Sequence, residues 1–70
     1  MREYISNEVH MLRTQKGTTQ EEFAVAVGVT RQTIIAIEKG NYTPSVLLAM
    51  KISHYFNVPV ETVFKISHEK

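Results

Sequence analysis

A chain of 70 residues has the length of one small domain, and a hydrophobic content of 43% favours a folded core over a disordered segment. The absence of cysteine excludes disulfide bonds and thiolate metal sites, and a net charge of +1 does not by itself indicate a nucleic-acid partner. No apolar run reaches the roughly 18 residues of a membrane span or resembles a signal peptide, so we expect a soluble protein of the cytoplasm.

The first predicted helix begins near Ser6 or Asn7, because either side chain can cap a helix N-terminus. It ends at Lys16, where a cation suits the negative end of the helix dipole, and Gly17 follows as a natural stop. Its apolar side chains are Val9, Met11 and Leu12.

The second predicted helix follows Thr19. The run Thr19-Gln20-Glu21-Glu22 has the spacing of a capping box, in which the Thr19 hydroxyl accepts from the Glu22 amide and the Glu22 carboxylate accepts from the Thr19 amide. The inward residues are predicted to be Phe23, Ala24 and Val27, and Gly28 supplies the turn that ends the helix.

The third predicted helix begins after Thr30, another residue suited to an N-cap, and ends at Lys39 and Gly40. Ile34 and Ile37 are three residues apart and should face the core. The side chains that then point outward at least in part are Arg31, Gln32, Ile35 and Ala36, and for Ile35 a core position is an equal alternative.

A loop over residues 41–44 precedes the fourth predicted helix, because the residue before Pro44 is biased away from helical backbone angles. Ser45 is the predicted N-cap of this helix. The inward residues are predicted to be Val46, Leu48, Ala49, Ile52 and Phe56.

The C-terminal part begins where Asn57-Val58-Pro59 breaks the fourth helix. A short fifth helix follows, with apolar Val60, Val63 and Phe64. Apolar and polar residues alternate over 64–68, which is typical of a short strand, and this strand could pair with residues 2–5. The predicted fold class is therefore all-α, with five helices and, as an option, a two-stranded antiparallel sheet formed by the termini.

The segment from Thr19 to Gly40 holds two short helices joined by a turn that contains glycine, which is the pattern of a helix-turn-helix. In this motif the second helix enters the major groove of DNA, and its N-terminal residues contact base edges. Gln32 can form two hydrogen bonds with adenine, and Arg31 can bond either a guanine or a phosphate. Both DNA contacts stay open for Arg31.

The stretch TQEEFAVAVGVTRQTIIAIEKG at 19–40 resembles the Cro/repressor-type (Xre-like) helix-turn-helix family, and the similarity continues through 41–45, 56–59 and 63–64. The compact single-domain repressors are the most similar group. The resemblance implies a lambda-repressor-like domain over residues 1–70. It also implies a sequence-specific, double-stranded-DNA-binding transcriptional regulator, acting as a homodimeric repressor of a near-palindromic operator.

The resemblance also implies roles for individual residues. The residues that would face the bases are Arg31, Gln32, Thr33 and Ala36. Those that would hold the DNA backbone are Gln20, Thr30, Lys39, Asn41 and Tyr42. Arg13 and Glu38 would form a partly buried salt bridge between the first and third helices, with a structural rather than a DNA-reading role.

Residues 55–70 form the predicted dimerisation part, because they hold more large apolar side chains than so small a core needs. The predicted interface residues are Tyr55, Val60, Phe64 and Ile66, and completion of the monomer core is the alternative for all four. Leu47 occupies a position that is usually polar in the family it resembles, and it is a further interface candidate.

No pattern for catalysis, metal binding or a cofactor is found. His10, His54 and His68 lack the spacing of metal ligands, and Glu21 and Glu22 are helix-cap residues rather than a catalytic pair. We expect no enzyme activity. Two other functions remain open: an antitoxin or accessory helix-turn-helix protein that also binds a partner protein, and a protein-interaction module without DNA binding.

Overall fold

The computed structural model describes residues 2–69, which form five helices and a two-stranded antiparallel sheet. The elements in chain order are β1 (Arg2–Asn7), α1 (Val9–Lys16), α2 (Gln20–Val27), α3 (Arg31–Glu38), α4 (Val46–Phe56), α5 (Val60–Val63) and β2 (Phe64–Glu69). The predicted fold class is confirmed, including the sheet formed by the two ends of the chain. Both strands are longer than predicted, and Arg2 pairs with Glu69 while Asn7 pairs with Phe64.

The predicted start of α1 is wrong. Ser6 and Asn7 lie in β1, and the N-cap position is Glu8, whose side chain makes no capping hydrogen bond. Pairing with β2 holds Asn7 in an extended conformation. Its side chain still serves two helix ends: Oδ1 accepts from the Val9 amide at 3.1 Å, and Nδ2 donates to the Ile37 carbonyl at 2.9 Å.

The starts of α2, α3 and α4 are confirmed. The capping box is complete, with the Glu22 amide donating to the Thr19 hydroxyl at 3.1 Å and the Thr19 amide donating to the Glu22 carboxylate at 2.9 Å. The hydroxyls of Thr30 and Ser45 accept from the amides three residues later. Caps of this kind contribute about 1 kcal/mol each, because they satisfy helix amides that would otherwise lack a partner.

The core receives side chains from all five helices. Its buried apolar residues are Val9, Phe23, Ala24, Val27, Ile34, Ile37, Leu48, Ile52 and Val63. The Phe23 ring lies at the centre, with its centroid 5.1 Å from that of Tyr55 and 5.2 Å from that of Phe56. This packing fixes α2 against α4.

One apolar prediction is wrong: Val46, which was predicted to face the core, is 77% exposed. Val46 is the first residue of α4, and the helical repeat places it on the same side as Met50, away from Ile52.

Within residues 2–69, no helix combines the length and the apolar character that crossing a membrane would require.

Candidate nucleic-acid interface

Helix α3 buries one face and displays the other. Ile34 and Ile37 are fully buried, whereas Arg31 and Gln32, in the first turn, are exposed. The other three side chains of the displayed region, Thr33, Ile35 and Ala36, are half-buried. The N-terminal turn of α3 therefore projects a guanidinium and an amide from the surface of the domain.

The turn between α2 and α3 sets the angle at which α3 is presented. Gly28 ends α2 with a φ of 78°, a left-handed backbone conformation that residues other than glycine adopt only at an energetic cost. The Val29 amide then donates to the Ala24 carbonyl at 2.9 Å, which closes the end of α2. Thr30 caps α3 directly afterwards, so its hydroxyl is engaged in holding the start of that helix.

A buried carboxylate, Glu38, joins α1, α2 and α3. Arg13 Nε donates to Glu38 Oε2 at 2.7 Å, and the two side chains are only 10% and 7% exposed. Gln20 Nε2 donates to Glu38 Oε1 at 3.2 Å, and His10 Nδ1 lies 3.2 Å from the same oxygen. Arg13 Nη1 donates in addition to the Thr18 carbonyl at 2.9 Å.

This cluster orients Gln20 at the start of α2. An amide group carries two N–H donors, and the bond to Glu38 occupies one of them. The second remains for an acceptor such as a phosphate oxygen. A surface depression lies beside it, between the N-termini of α2 and α3, and its lining residues are Arg13, Thr19, Gln20, Glu21 and Arg31.

Burial raises the pKa of Glu38, but hydrogen bonds from Arg13, Gln20 and His10 outweigh this effect, so its pKa lies below the ordinary value. The hydrogen bond to Glu38 raises the pKa of Arg13. The folded state therefore favours the ionised form of the pair.

The lowered pKa of Glu38 predicts a loss of stability in acid. A group whose pKa is lower in the folded state stabilises that state above its unfolded pKa, about 4.3 for glutamate, and the contribution disappears as pH falls through the folded value. Urea unfolding from pH 7 down to pH 3 should show a steeper decline for the natural protein than for Glu38→Gln. An unchanged slope in Glu38→Gln, matching that of the control Glu61→Gln, would contradict this assignment.

The residues after α3 lie on the surface. Lys39, Asn41 and Tyr42 are all exposed, and Gly40 takes a left-handed φ of 79° between them. These exposed side chains follow directly on the C-terminal end of α3.

The four predicted interface residues differ in exposure. Tyr55 and Phe64 are half-buried and pack against the core, and the Tyr55 hydroxyl lies 3.0 Å from that of Thr18. Val60 is also half-buried, whereas Ile66 is 67% exposed. Tyr55 and Phe64 thus have packing partners inside the subunit, and Ile66 is the most exposed of the four.

Sequence reasoning missed an exposed apolar stripe on α4. Val46, Leu47 and Met50 are 77%, 65% and 45% exposed, and only Leu47 was expected at the surface. The signal was the spacing of Val46 and Met50, which lie four residues apart and share a helix face. The contact of the exposed His10 side chain with Glu38 was not predicted from the sequence.

A family model described as "Helix-turn-helix" matches residues 9–67. An uncharacterised HTH-type transcriptional regulator of Bacillus subtilis is 49% identical over 65 residues, which cover 93% of this chain and 98% of that protein. A transcriptional repressor of the cryptic phage CTXphi in Vibrio cholerae is 33% identical over 55 residues, covering 79% of this chain and 50% of that repressor.

Among solved structures, the restriction-modification controller protein of Aeromonas hydrophila superimposes with a TM-score of 0.72 at 26% identity, over 77% of this chain and 82% of that one. Within residues 2–69, no group of three or more metal-ligating side chains is found. The chain belongs to the helix-turn-helix (Xre-like) family of transcriptional regulators, which bind double-stranded DNA and are not enzymes.

Proposed function

We propose that this protein represses transcription by binding a near-palindromic operator as a homodimer. The observation that carries the proposal is the N-terminal turn of α3, where Arg31 and Gln32 are exposed on a helix anchored by the buried Ile34 and Ile37. A major groove about 12 Å wide admits one such helix. The cytoplasmic location expected from the sequence stays a prediction.

We also propose roles for individual residues. The residues proposed to read bases are Arg31, Gln32, Thr33 and Ala36, and those proposed to contact the DNA backbone are Gln20, Thr30, Lys39, Asn41 and Tyr42. Gln32 supplies the paired donor and acceptor that adenine matches. Gln20 contributes through its second N–H group, while Glu38 holds the amide in position.

Dimerisation supports the specificity that a repressor needs. The displayed turn of α3 reaches few base pairs, whereas two copies related by a two-fold axis read two half-sites about 34 Å apart. The 33% identity with a phage repressor supports repression rather than activation. On this account the bound dimer covers promoter sequence and excludes polymerase.

Selection of bound duplexes from a random pool tests the proposal. We expect enrichment of an inverted repeat whose half-sites are centred about 10 base pairs apart. Recovery of no enriched sequence, together with no retardation of any duplex at low salt, would favour the alternative of a protein-interaction module. A stoichiometric partner that co-purifies and releases the DNA would favour the antitoxin or accessory alternative.

Gln32→Ala should weaken binding to the selected operator by about 1–3 kcal/mol and relax the preference at one base position in each half-site. Binding to a scrambled duplex should be unchanged, because phosphate contacts supply that affinity. Fluorescence anisotropy at fixed salt measures both. Gln15→Ala, which removes an exposed glutamine from α1, is the matched control and should bind both duplexes normally. Equal losses on both duplexes would rule out base reading by Gln32.

A further inference from the structure

Strand β2 has an open outer edge. It pairs with β1 on one side, in a sheet of two strands. Among the backbone hydrogen bonds made between residues 2–69 outside regular elements, none involves residues 65–69. The outward amides and carbonyls of such an edge can pair with another strand.

The charges of β2 are self-complementary in one antiparallel register. Lys65 and Glu69 are exposed and four residues apart, so they lie on the same face of the sheet. If two β2 strands meet about a two-fold axis at Ser67, each Lys65 stands directly opposite the Glu69 of the other copy. Side chains that face each other in this way have Cβ atoms about 4.5–5.5 Å apart, and opposite charges there stabilise the pairing.

The other face of β2 gains an apolar contact in the same register. Ile66 is 67% exposed and faces the half-buried Ile5 of β1. With the axis at Ser67, each Ile66 lies opposite His68 of the other copy and diagonal to its Ile66, within reach of a long side chain. The most exposed of the predicted interface residues thereby acquires a neighbour.

Strand β1 does not offer the same match. In an antiparallel pair, directly opposed residues lie on the same face of the sheet. When the two strands are identical and related by a two-fold axis, the sequence numbers of two opposed residues therefore differ by an even number. Arg2 and Glu3 are adjacent and lie on opposite faces of the sheet, and no symmetric register sets them against each other. The complementarity is specific to β2.

We infer that a second copy of this chain pairs with β2 along its outer edge, antiparallel and centred on Ser67, to form a four-stranded sheet across the dimer. The inference rests on the homodimer of the proposed function and identifies its interface. Two Lys65–Glu69 pairs, one on each side of the axis, set the register.

Charge exchange tests the register by sedimentation equilibrium of the full chain. Lys65→Glu places a glutamate opposite Glu69 of the other copy on both sides of the axis, and it should weaken the dimer roughly tenfold. Adding Glu69→Lys should restore the dissociation constant to within about threefold of the natural value. Within the subunit, Glu69 Oε1 lies 3.7 Å from Arg2 Nη1, so Glu69→Lys places a lysine beside Arg2. If Glu69 acted only through this contact within the subunit, the double variant should dimerise more weakly than Lys65→Glu alone. Lys51→Glu on α4 is the control and should leave the dimer unchanged.

Cysteine cross-linking gives a second test that does not depend on charge, because the natural chain has no cysteine. Under mild oxidation, Ser67→Cys should form a covalent dimer roughly tenfold faster than Ile66→Cys, since residue 67 alone meets its own copy in this register. Equal rates, faster linking through residue 66, a dimer indifferent to charge exchange, or a monomer at high concentration would each overturn the inference.

These outcomes are separable from those of the DNA-binding proposal. If an operator is selected but Lys65→Glu leaves the dissociation constant of the dimer unchanged, the β2 interface is overturned and the proposed function stands. A β2-dependent dimer that enriches no DNA sequence supports the interface and contradicts the function.

Discussion

Glu38→Ala should destabilise the domain by about 3–5 kcal/mol, because it leaves the Arg13 guanidinium buried without its carboxylate. The same change removes the acceptor for Gln20 and the contact with His10. A domain of this length has a total stability of roughly 4–10 kcal/mol, so this loss is a large fraction of the free energy of unfolding. Urea denaturation followed by circular dichroism measures the change.

Two further variants separate the ion pair from general effects of substitution. Glu61→Ala removes an exposed carboxylate from α5 and should cost less than about 0.5 kcal/mol. Arg13→Met combined with Glu38→Leu removes both charges and should recover much of the stability lost in Glu38→Ala. A loss below about 1 kcal/mol in Glu38→Ala would show that the pair is not what holds α1 against α3.

Phe23→Ala should cost about 3–5 kcal/mol, through lost burial and the cavity left between α2 and α4. Phe23 is fully buried, and the rings of Tyr55 and Phe56, which contact each other, would both lose their contact with Phe23. Thermal unfolding should show a broad transition or none. Val25→Ala on the same helix is the control, because Val25 is 76% exposed, and its melting temperature should hardly change. A cooperative transition near the natural temperature in Phe23→Ala would contradict the packing described.

Local signals in the sequence were enough for the helix starts at Thr19, Thr30 and Ser45, because a cap depends on residues at most three positions apart. The periodicity of α3 predicted its buried residues for the same reason. The start of α1 could not be predicted in this way. Asn7 is fixed by pairing with Phe64, at the other end of the chain, and this contact overrides its local preference for capping.

The candidate site likewise has one part that local sequence predicts and one part that depends on tertiary packing. The exposed turn of α3 follows from the helical repeat, whereas the convergence of Gln20 and His10 on Glu38 depends on how three helices pack. Val46 was assigned to the core because it is apolar, although its four-residue spacing from Met50 places it on the exposed side of α4.

The central claim is that the displayed turn of α3 reads base edges in the major groove. Replacing the purines of the selected operator one at a time with 7-deaza analogues removes a single major-groove acceptor, and the affinities of the natural protein and Gln32→Ala can then be compared. We expect one position in each half-site where the 7-deaza substitution weakens binding by the natural protein but does not change the affinity of Gln32→Ala. If no substituted position weakens the natural protein, or if every loss is the same for both proteins, Gln32 does not read the groove.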